Sequence, residues 1–408
     1  MKDFLTTLGN MRFPIIILAL FLLFIPFAES NGSSQDVKLD KDDVGVGNKK
    51  YEDAGNKVVT TLISGDAEAF SNAINKKTLL DRTFEGISQD IKVIRKARSS
   101  LSSALDRVGD IITRNLGEHS QLTFIRSRFM NGEHRALVRI DMGERGLNYL
   151  DFILGEDSSG VIKIIDWHDY AQGQLYTDSL RQVLVILLPQ DRTLIEKLLV
   201  MPGVDRKTVK SFTELARLSR ESRFAQWMDK YNDSPDRLKY SRIMLITRVL
   251  IASALGVEDQ HRLALKDLNK YIGDDPTLSL LLIDHYFYEG DFEAAHEALN
   301  RLHNYPGGDA AIDFLHSNVY FTEKNYPESI KHSQIAIKQD PFFEYSYWTL
   351  LNASIYEKKY QIAVNTLKHL ESEFGYKFDP KEMANQEGYE KFVKSSTFTR
   401  WMRDNEIR

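Results

Sequence analysis

The chain reads as multidomain, an α+β region followed by an all-α region: helices on a four-stranded antiparallel sheet, then a solenoid of helical hairpins. Three observations carry that reading. Between residues 121 and 170 apolar positions alternate with period two, and turn signals divide the stretch. On both sides of it apolar residues recur at helical spacing. In the last third an aromatic residue, preceded by a polar one and followed three positions later by a small one, recurs at a constant interval. The copies are Asp291-Phe292 with Ala295, Asn325-Tyr326 with Ser329, and Lys359-Tyr360 with Ala363. At 408 residues the chain has room for two or three domains.

The amino terminus comes first. Lys2 and Arg12 flank an apolar run from Pro14 to Phe27, followed by Ala28-Glu29-Ser30. A charged start, an apolar centre and a small-x-small site make residues 1–30 a signal peptide cleaved after Ser30. The run is short of the roughly 20 residues that span a bilayer comfortably. Cleavage places the rest in the periplasm or another extracytoplasmic space. An uncleaved segment would instead anchor it in the inner membrane, facing the periplasm. Residues 31–50, rich in Gly, Ser, Asp and Lys without an apolar period, read as a disordered tether.

Helical periodicity starts at Tyr51. Val58, Leu62 and Ile63 form one apolar stripe, and Phe70, Ala73 and Ile74 the next, with Gly65-Asp66 as stop and cap between them. Ser88 to Val108 reads as a further helix. Strands follow: one ending at Met130, then Arg135 to Met142, Leu147 to Leu154, and Val161 to Tyr170. Asn131-Gly132 between the first two is a strong hairpin signal. This order, helices and then an antiparallel meander ending Val-Ile-Lys-Ile-Ile-Asp-Trp-His, resembles the nuclear-transport-factor-2-like superfamily over residues 51–175. The resemblance implies a curved sheet with helices on one face, and it brings two expectations. One is small-molecule binding or lyase/isomerase-like chemistry in the sheet cone. The other is a homodimer through the sheet face, making a homo-oligomeric envelope scaffold.

Residues 176–275 read as helical pairs that cap the repeats. The expected helices are Tyr176–Leu188, Arg192–Met201, Arg206–Arg220, Ser222–Tyr231 and Arg237–Leu255, punctuated by Pro189, Pro202 and Pro235. Residues 242–275 could be a degenerate repeat with His261 at the small position. From Pro276 to residue 377 three copies align without a gap. The constant interval matches the period of about 34 that marks the tetratricopeptide repeat family, which this segment resembles. Residues 378–408 read as a C-terminal capping helix.

The resemblance implies a concave wall built from the first helix of each repeat. It would comprise Leu280, Asp284, Phe287 and Tyr288, then Phe314, Asn318 and Phe321, then Trp348, Asn352, Ile355 and Tyr356. Leu280, Phe314 and Trp348 stand where carboxylate-clamping members of the family carry cations. An apolar polypeptide segment is therefore the expected ligand, bound by aromatic rings and by the Asp/Asn line. The competing expectation is that Glu382 to Ile407 folds back into this groove.

Chemistry is sparse. Asp166 and His168 on the last strand share a face and are the weak catalytic candidates for acid–base work. The ten histidines lack a helical metal-site spacing and read as scattered surface residues, so no metal and no cofactor is expected. Zero cysteine excludes disulfides and thiolate chemistry. A net charge of −5 gives no global field for nucleic acid. The sequence thus predicts a non-catalytic, exported adaptor that holds a protein or peptide partner in the repeat groove.

Overall fold

The computed structural model describes residues 45–46, 48–86, 92–116, 120–143, 146–187, 205–304 and 307–406. The signal segment and most of the tether lie outside them. Among the described residues no helix is long and apolar enough to cross a membrane. Contacts divide the chain into two compact units, one ending at His285 and the next beginning at Tyr286.

Among the described residues of the first unit, five helices lie between a short first strand and the rest of the sheet: α1 (Lys49–Ile63), α2 (Ala67–Ala73), α3 (Lys76–Thr83), α4 (Lys92–Leu105) and α5 (Val108–Leu116). Asn48, Asp66 and Asn75 cap the first three, each side chain accepting from a backbone N–H of the first turn. Val108, expected to end a helix, opens α5 instead. A Cβ on Gly109 would lie 1.9 Å from the Ala67 carbonyl oxygen, so glycine is what lets α5 pass so close to α2.

The sheet is an antiparallel meander in chain order: β1 (Gly45–Val46), β2 (Gln121–Met130), β3 (Glu133–Asp141), β4 (Leu147–Glu156), β5 (Ile162–Asp169) and β6 (Gln174–Leu175). The expectation of four strands is corrected: the four long ones are present, and a two-residue strand closes each edge. Two residues carry no alternation, which is why neither was read. The expected tether also ends early, because Gly45 and Val46 pair with Phe129 and Arg128. Asn131 and Gly132 take left-handed conformations (φ 54° and 76°) in the β2–β3 turn, as a two-residue hairpin of right-handed strands requires.

One sheet face carries Ala136, Val138 and Ile140, then Leu150, Phe152 and Leu154, all buried with the helices in one hydrophobic core. An irregularity in β5 sets Leu154 opposite Ile164 but Ile153 opposite Asp166. The extra residue puts both Ile164 and Trp167 in the core. Trp167 stacks on Tyr176 at 3.8 Å.

That core continues into the later helices. These are α6 (Tyr176–Leu187), α7 (Arg206–Arg220), α8 (Phe224–Asn232), α9 (Asp236–Lys239), α10 (Arg242–Leu255) and α11 (Glu258–Ile272). Phe212, Leu215, Trp227, Met244 and Ile251 belong to the same core as the sheet. The expected helix at 192–201 lies outside the described residues, and the one expected from Arg237 divides into α9 and α10.

Then follow α12 (Ser279–Glu289), α13 (Phe292–Asn304), α14 (Ala310–Thr322), α15 (Tyr326–Gln339), α16 (Tyr345–Tyr356) and α17 (Tyr360–Phe374). The backbone repeats more often than the sequence does. Ser222, Gly256, Gly290, Lys324 and Lys358, evenly spaced along the chain at the interval of the sequence repeat, all have φ between 54° and 69° at the turn inside a helical pair. At four of these turns the next residue's N–H donates to the carbonyl five residues back: Arg223 to Leu218, Asp291 to Tyr286, Asn325 to Tyr320, and Lys359 to Ser354. Five helical pairs from Arg206 to Phe374 therefore share one turn design, where the sequence showed three and hinted at a fourth.

In the second unit, α14 to α17 pack successively on one another. Small side chains permit the approach, with Ser317 Oγ 2.7 Å from Ser333 Oγ and 3.1 Å from Ser329 Oγ. The expected single capping helix is three short ones, α18 (Pro380–Ala384), α19 (Glu390–Val393) and α20 (Ser396–Glu406).

Candidate functional sites

On the sheet, Asp166 and His168 share a face, as strand alternation requires, opposite Ile153 and Asp151 of β4. Both are buried. Asp166 Oδ2 accepts from the Thr177 hydroxyl at 2.7 Å, and Oδ1 accepts from the backbone N–H groups of Trp167 and Thr177. Arg82 Nε lies 3.2 Å from Oδ2. The carboxylate thus fastens β5 to the first turn of α6 and to the end of α3. Burial still pushes it up to about 6, against the pull of Thr177 and Arg82. Burial pushes His168 down to about 3, Asp151 opposing and Arg135 assisting.

These two residues belong to a larger polar layer that the sequence reading missed. Asp151 Oδ2 accepts from Arg128 Nη2 at 2.7 Å and from Arg135 Nη1 at 3.1 Å. Arg135 Nη2 reaches Glu133 Oε2 at 2.7 Å, Glu133 Oε1 accepts from Arg82 Nη1 at 3.0 Å, and Arg82 continues to Asp166. Three guanidinium groups alternate with three carboxylates from β2 across to β5. The signal for it was present. Once Asn131-Gly132 sets Met130 against Glu133, Arg128 falls opposite Arg135. Like charges facing each other in a buried sheet need a carboxylate from the next strand. Leu137, Tyr149 and Ile153, on the same face as Asp151, are also buried within the single chain. A sheet-mediated homodimer would need that face exposed.

The aromatic wall of the repeats differs from expectation. Leu280, Asp284 and Ile355 are buried, and Phe287, Tyr288 and Phe321 are half-buried. An open trough requires Phe314 and Trp348 to face water, and they are only 8% and 2% exposed. Phe314 sits edge-on to Phe343 at 5.4 Å and near Tyr345. Trp348 donates from Nε1 to Glu344 and lies under Tyr376 and Phe378. Asn318 Oδ1 accepts from Thr349, and Asn352 Oδ1 accepts from the Tyr389 hydroxyl. Trp348, Leu351 and Ile355 share one hydrophobic cluster with Met383, Tyr389, Phe392, Phe398 and Trp401.

The trough open at its carboxyl end is therefore corrected: the chain's own final segment fills it. The physical reason is the density of aromatic residues after Gly375, which gain more by burial than a solvated cap would. Of the expected wall, Tyr356 keeps the most exposure, 36%, stacked on Tyr326 and edge-on to Phe321.

The histidines are also not scattered. His296 of α13, His316 of α14 and His332 of α15 form one half-buried to buried cluster around Tyr320. His296 and His332 lie on successive second helices, separated by little more than one repeat, and that is the trace a sequence could show. Among the described residues no group of three or more His, Cys, Asp or Glu is disposed to hold a metal ion.

No family model matches the chain, and no curated protein matches it.

Proposed function

We propose that this protein is a non-catalytic, exported interaction scaffold whose helical pairs form a tetratricopeptide-type solenoid presenting a surface to a polypeptide partner. The observation that carries this is the left-handed turn recurring at even spacing from Ser222 to Lys358. Arrays of identical helical pairs build extended surfaces, and their commonest use is to hold another chain. The reading extends the repeats back to Arg206 and keeps residues 1–30 as an export signal. The order of helices and meander supports a nuclear-transport-factor-2-like region ahead of them.

The partner surface is moved from the expected wall. Trp348, Asn352 and Ile355 are occupied by the final segment, so the contact is assigned to the accessible aromatic edge of Phe321, Tyr326 and Tyr356. Tyr356 is 36% exposed and stacks on the half-buried Tyr326, with half-buried Phe321 edge-on to it, and a partly exposed aromatic cluster of this kind marks an interaction site. A photo-crosslinking amino acid placed at 356 should capture one defined polypeptide in the native envelope. The same probe at exposed Lys368 should not. Equal labelling from both positions would remove the assignment.

A further inference from the structure

Between α13 and α14 two imidazoles meet nitrogen to nitrogen. His296 Nδ1 and His316 Nδ1 are 2.8 Å apart, with rings 11° from parallel and centroids 5.0 Å apart. His332 lies beside His316, its ring tilted and 5.2 Å away. Its Nδ1 donates to Asp313 Oδ1 at 3.0 Å, and Asp313 Oδ2 accepts from Gln339 at 2.8 Å.

A hydrogen bond between two ring nitrogens needs one N–H and one lone pair. Two neutral rings provide that, and so does one imidazolium facing a neutral ring. Two imidazolium rings cannot, because both N–H groups would point at each other across the same short gap. We propose that the His296–His316 contact is a proton-operated latch between α13 and α14, closed with at most one added proton and opened by the second.

The surroundings set the count. On α13, which also carries Glu293, Glu297 and Arg301, His303 acts on the pair; from α14 Asp313, Tyr320 and Glu323 lie near it, and from α15 Glu328, Lys331 and His332. The segment Tyr345–Tyr356 of α16, which also packs on α14, contains no charged side chain. Asp313 is committed to His332 and Gln339. Glu323 Oε1, 3.8 Å from His296 Nε2, can balance one imidazolium and not two. Burial pushes His296 down to about 4 and His316 to about 3, with His332 adding to both.

The sign follows. Below the ordinary histidine value of about 6.5 the unfolded chain takes up protons that the closed pair refuses, so stability is full above that value and is lost as pH falls toward 4. The latch is a regulatory device of the helical pairs themselves and does not depend on what the scaffold binds.

The test is a pH series of unfolding from 7.5 to 4.5 on the full chain, unmodified and as His316→Asn. The expected result is a folding constant that drops about tenfold more per pH unit below 6.5 in the unmodified protein than in the variant. Equal slopes would overturn the latch. Should the variant fail to fold, NMR titration of the imidazoles in the unmodified protein decides. His296 and His316 should stay neutral to below pH 5. Titration of both near 6.5, with contacts between α13 and α14 intact, would overturn it.

Discussion

The sheet and the carboxyl-terminal helices both bury polar side chains, and they balance charge in different ways. In the sheet, Arg128, Arg135 and Arg82 alternate with Asp151, Glu133 and Asp166, so every charge has an opposite neighbour. In the helices three imidazoles cluster beside one committed carboxylate, Asp313. The first arrangement tolerates burial because it is paired. The His296–His316 pair of the second tolerates it because burial holds both rings below the ordinary histidine value, and that neutrality can be withdrawn by pH.

The same contrast shows in protonation. Burial pushes Asp166, Asp169 and Asp178 up and His168 down. A carboxyl raised by folding costs stability as pH rises, whereas a lowered histidine costs it as pH falls, so in and beside the sheet the two oppose each other. In the helical cluster His296 and His316 shift together, and the half-exposed Glu323, pushed up by burial, opposes them weakly.

The most damaging way to break the comparison is Asp151→Ala. It leaves Arg128 and Arg135 facing each other, buried, without their shared carboxylate. Breaking a buried pair in this way costs about 3–5 kcal/mol. Urea unfolding should show a loss of that order. A loss below about 1 kcal/mol would mean that water or other groups already screen these arginines.

How legible was this arrangement? The long strands and the Asn131-Gly132 turn were, because alternation and a required backbone conformation leave marks in residue type. The first two helical pairs were legible as helices, and the second as a possible degenerate repeat, but not as copies of one turn design. Their turns use Ser222 and Gly256 where later copies use Gly290, Lys324 and Lys358, so no residue type marks the turn. Trp227 stands where Ala295, Ser329 and Ala363 do, because α8 packs into the sheet's core, and His261 holds that position in the second pair. The fate of the aromatic wall was left between two expectations, an open groove and one filled by Glu382 to Ile407, and the second matches the cluster that holds Trp348. Whether Trp348 faces water is decided by Tyr376 and Phe378 from a different segment, and residue spacing on α16 holds no information about them.

A second experiment sharpens the comparison of pH signs. Asp166→Asn keeps an oxygen for Thr177 but cannot ionise. Because burial raises the carboxyl from about 3.9 to about 6, the folded unmodified protein holds a proton between those values that the unfolded chain has released. Its stability should therefore fall relative to the variant as pH rises from 4 to 6.5, by roughly 2–3 kcal/mol. A difference that stays flat, or grows in the other direction, would show that Arg82 governs the group instead of burial.

The smallest expected effect tests the neutral side. Tyr389→Phe removes the hydroxyl that donates to Asn352 Oδ1 and leaves the ring in the cluster with Phe392. The bond joins two uncharged groups, so its loss should cost about 1 kcal/mol, the buried amide oxygen left without a donor being the main term. Chemical denaturation should show that decrement with an unchanged dependence on denaturant. Were the loss as large as for Asp151→Ala, the final segment would be held by this contact more than by its aromatic residues. Trp401 and Phe398, buried beside it, argue for the smaller value.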